Sequence, residues 1–131
     1  MNDELVVRAP PPAWTIAVGD AAAILLFVII GLANHDQGVT VGGVARTALP
    51  VLGAWFVVAP FTKTYARPRL GTLLINWVIA VPVGVAIRGT MLNRSADDSQ
   101  LTFGLVAMIG TLVLLLLWRG IHALRGRPSK R

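Results

Sequence analysis

The sequence of 131 residues has no cysteine, and only 14% of its residues are charged. The absence of cysteine excludes a disulfide framework, a thiolate metal site and a cysteine nucleophile. Soluble domains average about 25% charged residues, which is more than this chain has. They are at most about 50% apolar, whereas 55% of this chain is hydrophobic. This composition excludes an ordinary soluble domain and predicts a small integral membrane protein.

Four apolar segments are long enough to cross the roughly 30 Å hydrocarbon core of a bilayer. None shows the period of two that a barrel strand requires, and the short polar connections make neighbouring helices antiparallel. We therefore predict an all-α protein, a four-span transmembrane helix bundle. The predicted spans cover residues 13–33, 44–61, 70–87 and 101–118. They form a transmembrane domain of residues 13–121, which follows an N-terminal tail of residues 1–12 and precedes a basic tail of residues 122–131.

Basic residues are unevenly divided between the two sides of this bundle. Nine of the twelve Lys and Arg residues fall on the side of the termini: Arg8, Lys63, Arg67, Arg69, Arg119, Arg125, Arg127, Lys130 and Arg131. The positive-inside rule places that side, and both termini, in the cytoplasm. We expect a multi-pass protein of the cytoplasmic (inner) membrane, with anionic lipids bound at the basic tail.

Residues suited to catalysis or cofactor binding are scarce. The two histidines, His35 and His122, fall on opposite sides of the bundle and cannot share a haem or a metal ion within one chain. No phosphate-binding glycine motif is present, and the polar surface is too small for nucleic-acid binding. We expect no enzyme activity, no catalytic residues, no cofactor, no metal site and no nucleic-acid partner.

One acidic residue, Asp20, lies inside the first span, roughly 10 Å from the cytoplasmic boundary. A carboxylate at that depth is costly and turns towards the bundle interior. Asn76 of the third span lies at a similar depth, so we predict an intramembrane polar pair in which Asp20 and Asn76 are hydrogen-bonded. The pair is either a structural clasp between helices or a site that binds a proton or cation.

The opposite, outer side carries a second polar group, an outer-rim charge cluster of His35, Asp36, Arg46 and Arg88. Arginines at span ends usually bury their stems and extend their charged heads to the interface or to nearby acids. An alternative is an anion-attracting mouth in which Arg46 and Arg88 grip a carboxylate or phosphate.

Proline interrupts the second and third spans at matching depths, at Pro50 and Pro82. Each proline removes a backbone hydrogen bond and is expected to kink its helix. Such breaks either shape helix packing or line a substrate site, as the broken helices of transporters do.

The order of these features resembles an uncharacterised family of small four-helix membrane proteins, a domain of unknown function of high-GC bacteria and archaea. The resemblance covers roughly residues 15–120 and rests on Gly19, Asp20, Phe27, Gly31, His35, Pro50, Gly53, Trp55, Pro60, Trp77, Pro82, Gly84 and Arg88. It implies four spans and no known reaction. Small multidrug exporters and small fluoride channels are similar in size, but their flanking charges are more evenly balanced.

Two functions are compatible with these features. The first is an ion- or proton-coupled transporter or channel-like subunit in which the intramembrane carboxylate of Asp20 titrates. The alternative is a non-catalytic structural or accessory subunit whose polar residues hold helices together. Four short helices enclose little interior, so we expect a homo-oligomer or a larger membrane complex.

Overall fold

A computed structural model describes residues 12–35, 38–93 and 98–127 of the chain as four helices. The helices are α1 (Ala13–Asn34), α2 (Val41–Thr62), α3 (Leu70–Met91) and α4 (Asp98–Arg125). Each is long and apolar enough to cross a membrane. The predicted all-α, four-span architecture is therefore confirmed, and the chain is a small multi-pass membrane protein.

Side chains next to the helix ends explain where two of the helices begin. The Thr40 hydroxyl accepts a hydrogen bond from the Gly43 amide at 3.1 Å and so caps the start of α2. The Thr72 hydroxyl accepts one from the Arg69 amide at 3.2 Å at the start of α3. Between them, α2 ends at Thr62, and the left-handed backbone of the next residue, Lys63 (φ 56°, ψ 31°), turns the chain towards α3.

The helices are arranged so that each packs against two others, in the cyclic order α1, α2, α3, α4. Consecutive helices are antiparallel. The start of α1, the connection between α2 and α3, and the end of α4 therefore all lie at one end of the bundle. This end, which includes the connection 63–69, is called the basic end below. The opposite end holds the α1–α2 and α3–α4 connections and is called the far end.

A narrow apolar core runs between the helices, while most of the outer surface is apolar as well. The largest fully buried apolar side chains are Trp55, Ile24, Leu73, Leu115 and Val81. Outward-facing residues such as Val57 and Leu105 are more than half exposed. An exterior this apolar is suited to acyl chains rather than to water.

Glycines allow the helices to approach closely. A Cβ placed on Gly84 of α3 would lie 2.6 Å from the Val51 Cα of α2, so the two backbones touch there. Between α1 and α4 the contacts are reciprocal, because the Trp118 ring lies on Gly19 and the Phe27 ring lies on Gly110. These contacts fix the spacing of the helix pairs.

Both proline-containing helices continue through their prolines. Pro50 is buried inside α2 and Pro82 is exposed inside α3, and neither divides its helix into two elements. A Cβ added to Gly84 would lie 3.1 Å from the Pro50 carbonyl oxygen, so Gly84 packs against the backbone of α2 at Pro50. This contact favours the interpretation that the prolines shape helix packing. The predicted kinks themselves stay a prediction.

Candidate functional site at the basic end

The main polar feature of the bundle is an ion pair between its first and last helices. Asp20 of α1 is fully buried. The Arg119 side chain of α4 donates from Nε to Asp20 Oδ1 at 3.0 Å and from Nη2 to Oδ2 at 2.6 Å. This two-pronged geometry is the strongest form of an arginine–carboxylate contact. The Arg119 side chain is 13% exposed, so the pair is nearly but not completely enclosed.

The connection between α2 and α3 supplies two further partners to this ion pair. The Tyr65 hydroxyl donates to Asp20 Oδ2 at 2.9 Å. Arg119 Nη2 also donates to the hydroxyl of Thr64, which is fully buried, at 3.2 Å. Both residues follow directly after the left-handed turn at Lys63. Three chain segments therefore meet at one buried carboxylate.

The same network extends into α2 through an indole. Trp55 is fully buried and donates from Nε1 to the Tyr65 hydroxyl oxygen at 2.8 Å. The Tyr65 ring also stacks on Phe56, with ring centroids 6.2 Å apart. We call the group of Asp20, Trp55, Thr64, Tyr65 and Arg119 the Asp20 network.

The phenol of Tyr65 is less acidic in this environment than a phenol exposed to water. Burial of the phenol raises the pKa of Tyr65 far above its ordinary value of 10.0, and the negative charge of Asp20 raises it further. The phenol therefore stays protonated and keeps donating its hydrogen bond throughout the physiological pH range. A protonated phenol adds a hydrogen bond to the carboxylate without placing a second negative charge beside it.

The predicted direct hydrogen bond between Asp20 and Asn76 is wrong. Asn76 is fully buried, as expected, but its Oδ1 accepts from the Thr62 hydroxyl at 2.8 Å and its Nδ2 donates to the Trp55 carbonyl oxygen at 3.5 Å. These bonds join α3 to α2 rather than to α1. The physical reason is that Asp20 has a full cation within reach, and an arginine compensates a buried charge better than a neutral amide does.

Arg119 and Tyr65 are the residues that the sequence interpretation missed. Arg119 follows residue 118, where the fourth span is predicted to end, so the sequence places it only among the basic residues on the side of the termini. In the structure α4 continues to Arg125, which places Arg119 six residues inside the helix. Asp20 lies seven residues inside α1. The two residues therefore lie at similar depth on neighbouring antiparallel helices.

A cleft of about 590 Å³ opens beside the Asp20 network at the basic end. We call it the α3/α4 cleft, because its walls are the start of α3 and the end of α4. Its lining combines apolar and cationic residues: Ile16, Pro68, Arg69, Leu70, Leu73, Leu116, Arg119, Gly120, His122, Ala123, Gly126 and Arg127. Arg119 therefore connects the buried carboxylate to an accessible surface.

The residues of the predicted outer-rim cluster belong to the far end, and the structure describes His35, Arg46 and Arg88 of this cluster. His35 and Arg46 are exposed. Arg88 instead packs against α4, where Nη1 donates to Gln100 Oε1 at 3.3 Å and the guanidinium lies 3.9 Å from the Phe103 ring centroid. Asp36 lies outside the described residues. The structure thus brings Arg88 to α4, and a shared rim cluster stays a prediction.

Within residues 12–35, 38–93 and 98–127, no three His, Asp or Glu side chains lie close enough together to hold a metal ion. Several buried polar groups are instead paired across helices, as Trp77 Nε1 is with the Met108 carbonyl oxygen at 3.1 Å.

These observations define a class, a small multi-pass membrane protein whose four helices enclose a buried ion pair. A family model described as "Protein of unknown function (DUF3054)" matches residues 17–122, and the chain belongs to this family. The resemblance to an uncharacterised family is thereby confirmed. No curated protein and no solved structure matches the chain.

Proposed function

We propose that the chain is a non-catalytic structural or accessory subunit of a larger assembly in the cytoplasmic membrane, with both termini in the cytoplasm. The single observation that carries this proposal is the enclosure of Asp20. Its side chain is fully buried, and Arg119 and Tyr65 already occupy its two oxygens. A carboxylate held in this way stabilises one helix arrangement and is poorly placed to bind a transported ion.

The positions of the cavities support the same function. Asp20 lines neither the α3/α4 cleft nor the smaller cavity of about 300 Å³ beside Tyr65. A proton or cation that reached Asp20 would first have to displace Arg119. Separating one partner of a buried ion pair from the other leaves an uncompensated buried charge, which costs about 3–5 kcal/mol. Because transport requires repeated access to the carboxylate, this cost favours the structural role.

A second candidate, an ion- or proton-coupled transporter or channel-like subunit, is favoured by one observation. Arg119 is partly exposed in the α3/α4 cleft, so the partner of Asp20 can be reached from the basic end. If the guanidinium swung into the cleft, the carboxylate would be uncovered to that side. Intramembrane carboxylates in transporters are often exposed in this alternating way.

Proton flux into liposomes separates the two functions. The purified wild type, Asp20→Asn and the far-end control Arg46→Gln would be reconstituted with an entrapped pH-sensitive dye and an imposed potassium diffusion potential. We expect all three to match protein-free liposomes. Flux that is present in the wild type and in Arg46→Gln but absent in Asp20→Asn would overturn the structural role.

The accessory role has its own measurement, the mass of the assembly extracted from native membranes in mild detergent. We expect the native species to be heavier than the purified chain in the same detergent, because the subunit is retained in a complex with other proteins. A native species with the same mass as the purified chain would contradict the accessory role, whatever the flux measurement shows.

A further inference from the structure

The α3/α4 cleft has two chemically different parts. Ile16, Leu73 and Leu116 provide an apolar floor, whereas Arg69, His122 and Arg127 stand at its rim. Arg69 and Arg127 are exposed at the ends of apolar helices, the level at which lipid headgroups lie. Its volume of about 590 Å³ falls within the range of roughly 300–1,000 Å³ that small-molecule sites occupy.

The charge of this cleft comes from its side chains rather than from the helix ends. The start of α3 contributes a partial positive charge and the end of α4 a partial negative one, and the two nearly cancel. Arg119 is neutralised by Asp20. Neither Arg69 nor Arg127 has an ion-pair partner among the described residues, and no acidic residue lines the cleft. Within residues 12–35, 38–93 and 98–127, these two guanidinium groups at the rim therefore have no anionic partner.

We propose that the α3/α4 cleft binds an anionic glycerophospholipid, with the phosphate at the rim between Arg69 and Arg127 and an acyl chain along the apolar floor. Guanidinium groups match phosphate oxygens in geometry as well as in charge. The floor of Ile16, Leu73 and Leu116 favours a lipid over a free phosphate ion, which has no apolar part. This inference is independent of the proposed accessory role.

Binding is measured by titrating the detergent-solubilised full-length protein with short-chain phosphatidylglycerol and following its thermal unfolding. Short-chain phosphatidylcholine has the same acyl chains without the net charge, and glycerol phosphate has the charged group without the chains. We expect saturable stabilisation by phosphatidylglycerol alone, because only this probe satisfies both parts of the cleft. Equal stabilisation by phosphatidylcholine, or by glycerol phosphate, would overturn the proposal.

The location is tested by removing the rim charges. In the double variant Arg69→Gln/Arg127→Gln, the affinity for phosphatidylglycerol should fall about 30-fold, at roughly a fivefold loss per interfacial arginine. The single variant Arg67→Gln removes an exposed arginine of the same end that does not line the cleft and should leave the affinity unchanged. An equal loss in both variants, or no loss in the double variant, would contradict the assigned site.

A steric variant tests the same site without changing charge. Gly120 lines the cleft, and a Cβ added there meets no atom within 4 Å, so the side chain of Gly120→Leu starts in open space. Gly53→Leu is the matched control, because Gly53 is equally unobstructed but lies on α2, outside the cleft. We expect weaker phosphatidylglycerol binding in Gly120→Leu only, and unchanged binding in a folded Gly120→Leu would overturn the assignment.

Discussion

Asp20 and Arg119 lie 99 positions apart in the sequence and form a two-pronged ion pair between the first and last helices. The pair closes the cyclic arrangement of the bundle at the basic end. Replacing such a pair with apolar residues is often neutral, whereas removing one partner costs about 3–5 kcal/mol. The pair therefore penalises any arrangement in which α1 and α4 fail to meet at this depth.

Tyr65 connects this ion pair to α2, and removing its hydroxyl should weaken the bundle. Tyr65→Phe leaves the Trp55 indole N–H buried without its acceptor and deprives Asp20 of one donor. We expect the free energy of unfolding in detergent to fall by about 1–3 kcal/mol. Thr90→Val is the control, because the Thr90 hydroxyl is exposed and should change stability little. Equal stability of Tyr65→Phe and the wild type would contradict the network.

Tyr65 is the single tyrosine of the chain, so its ionisation can be followed directly by ultraviolet absorbance of the phenolate. Burial raises its pKa above 10.0, so the folded protein holds the phenolic proton more tightly than the unfolded chain. The stability that depends on the protonated phenol is complete below about pH 10 and is lost as the pH rises beyond it. A phenolate that forms in the folded protein with a pKa near 10 would show that Tyr65 is not enclosed.

Gly84 and Gly53 make a matched pair for testing the contact between α2 and α3. Gly84→Ala places a methyl group against the Val51 backbone, which cannot move without separating the helices, and should cost about 1–3 kcal/mol. Gly53→Ala meets no neighbour and should stabilise its helix by up to about 1 kcal/mol. The free energy of unfolding of each variant is the measurement. Effects of the same sign and size would contradict the close approach.

The sequence was sufficient to predict the fold because the requirements of a bilayer are simple. Length and apolarity specify the four spans, and lipid leaves the helix as the way for each segment to satisfy its own backbone groups. Burial of Asp20 and Asn76 was also predictable, because polar side chains at membrane depth turn inward.

The partners of these residues were harder to predict, because they depend on where α4 ends and on how one turn is built. Arg119 lies beyond the predicted end of the fourth span unless α4 is known to continue to Arg125. Thr64 and Tyr65 belong to a polar connection, and they follow directly after the left-handed turn at Lys63. A positive φ at a lysine is not visible in the composition of the segment.

The central claim, that Asp20 and Arg119 act as one structural unit, is tested most directly by a double-mutant cycle on the free energy of unfolding. The cycle comprises Asp20→Leu, Arg119→Leu and the double variant, with Arg125→Leu as the control partner, since Arg125 is an exposed arginine of the same helix. The account predicts a coupling energy of about 2–3 kcal/mol for Asp20 with Arg119 and additivity for Asp20 with Arg125. It also predicts that the double variant is more stable than Arg119→Leu alone. A coupling energy below about 0.5 kcal/mol, within the range of independent sites, would contradict it.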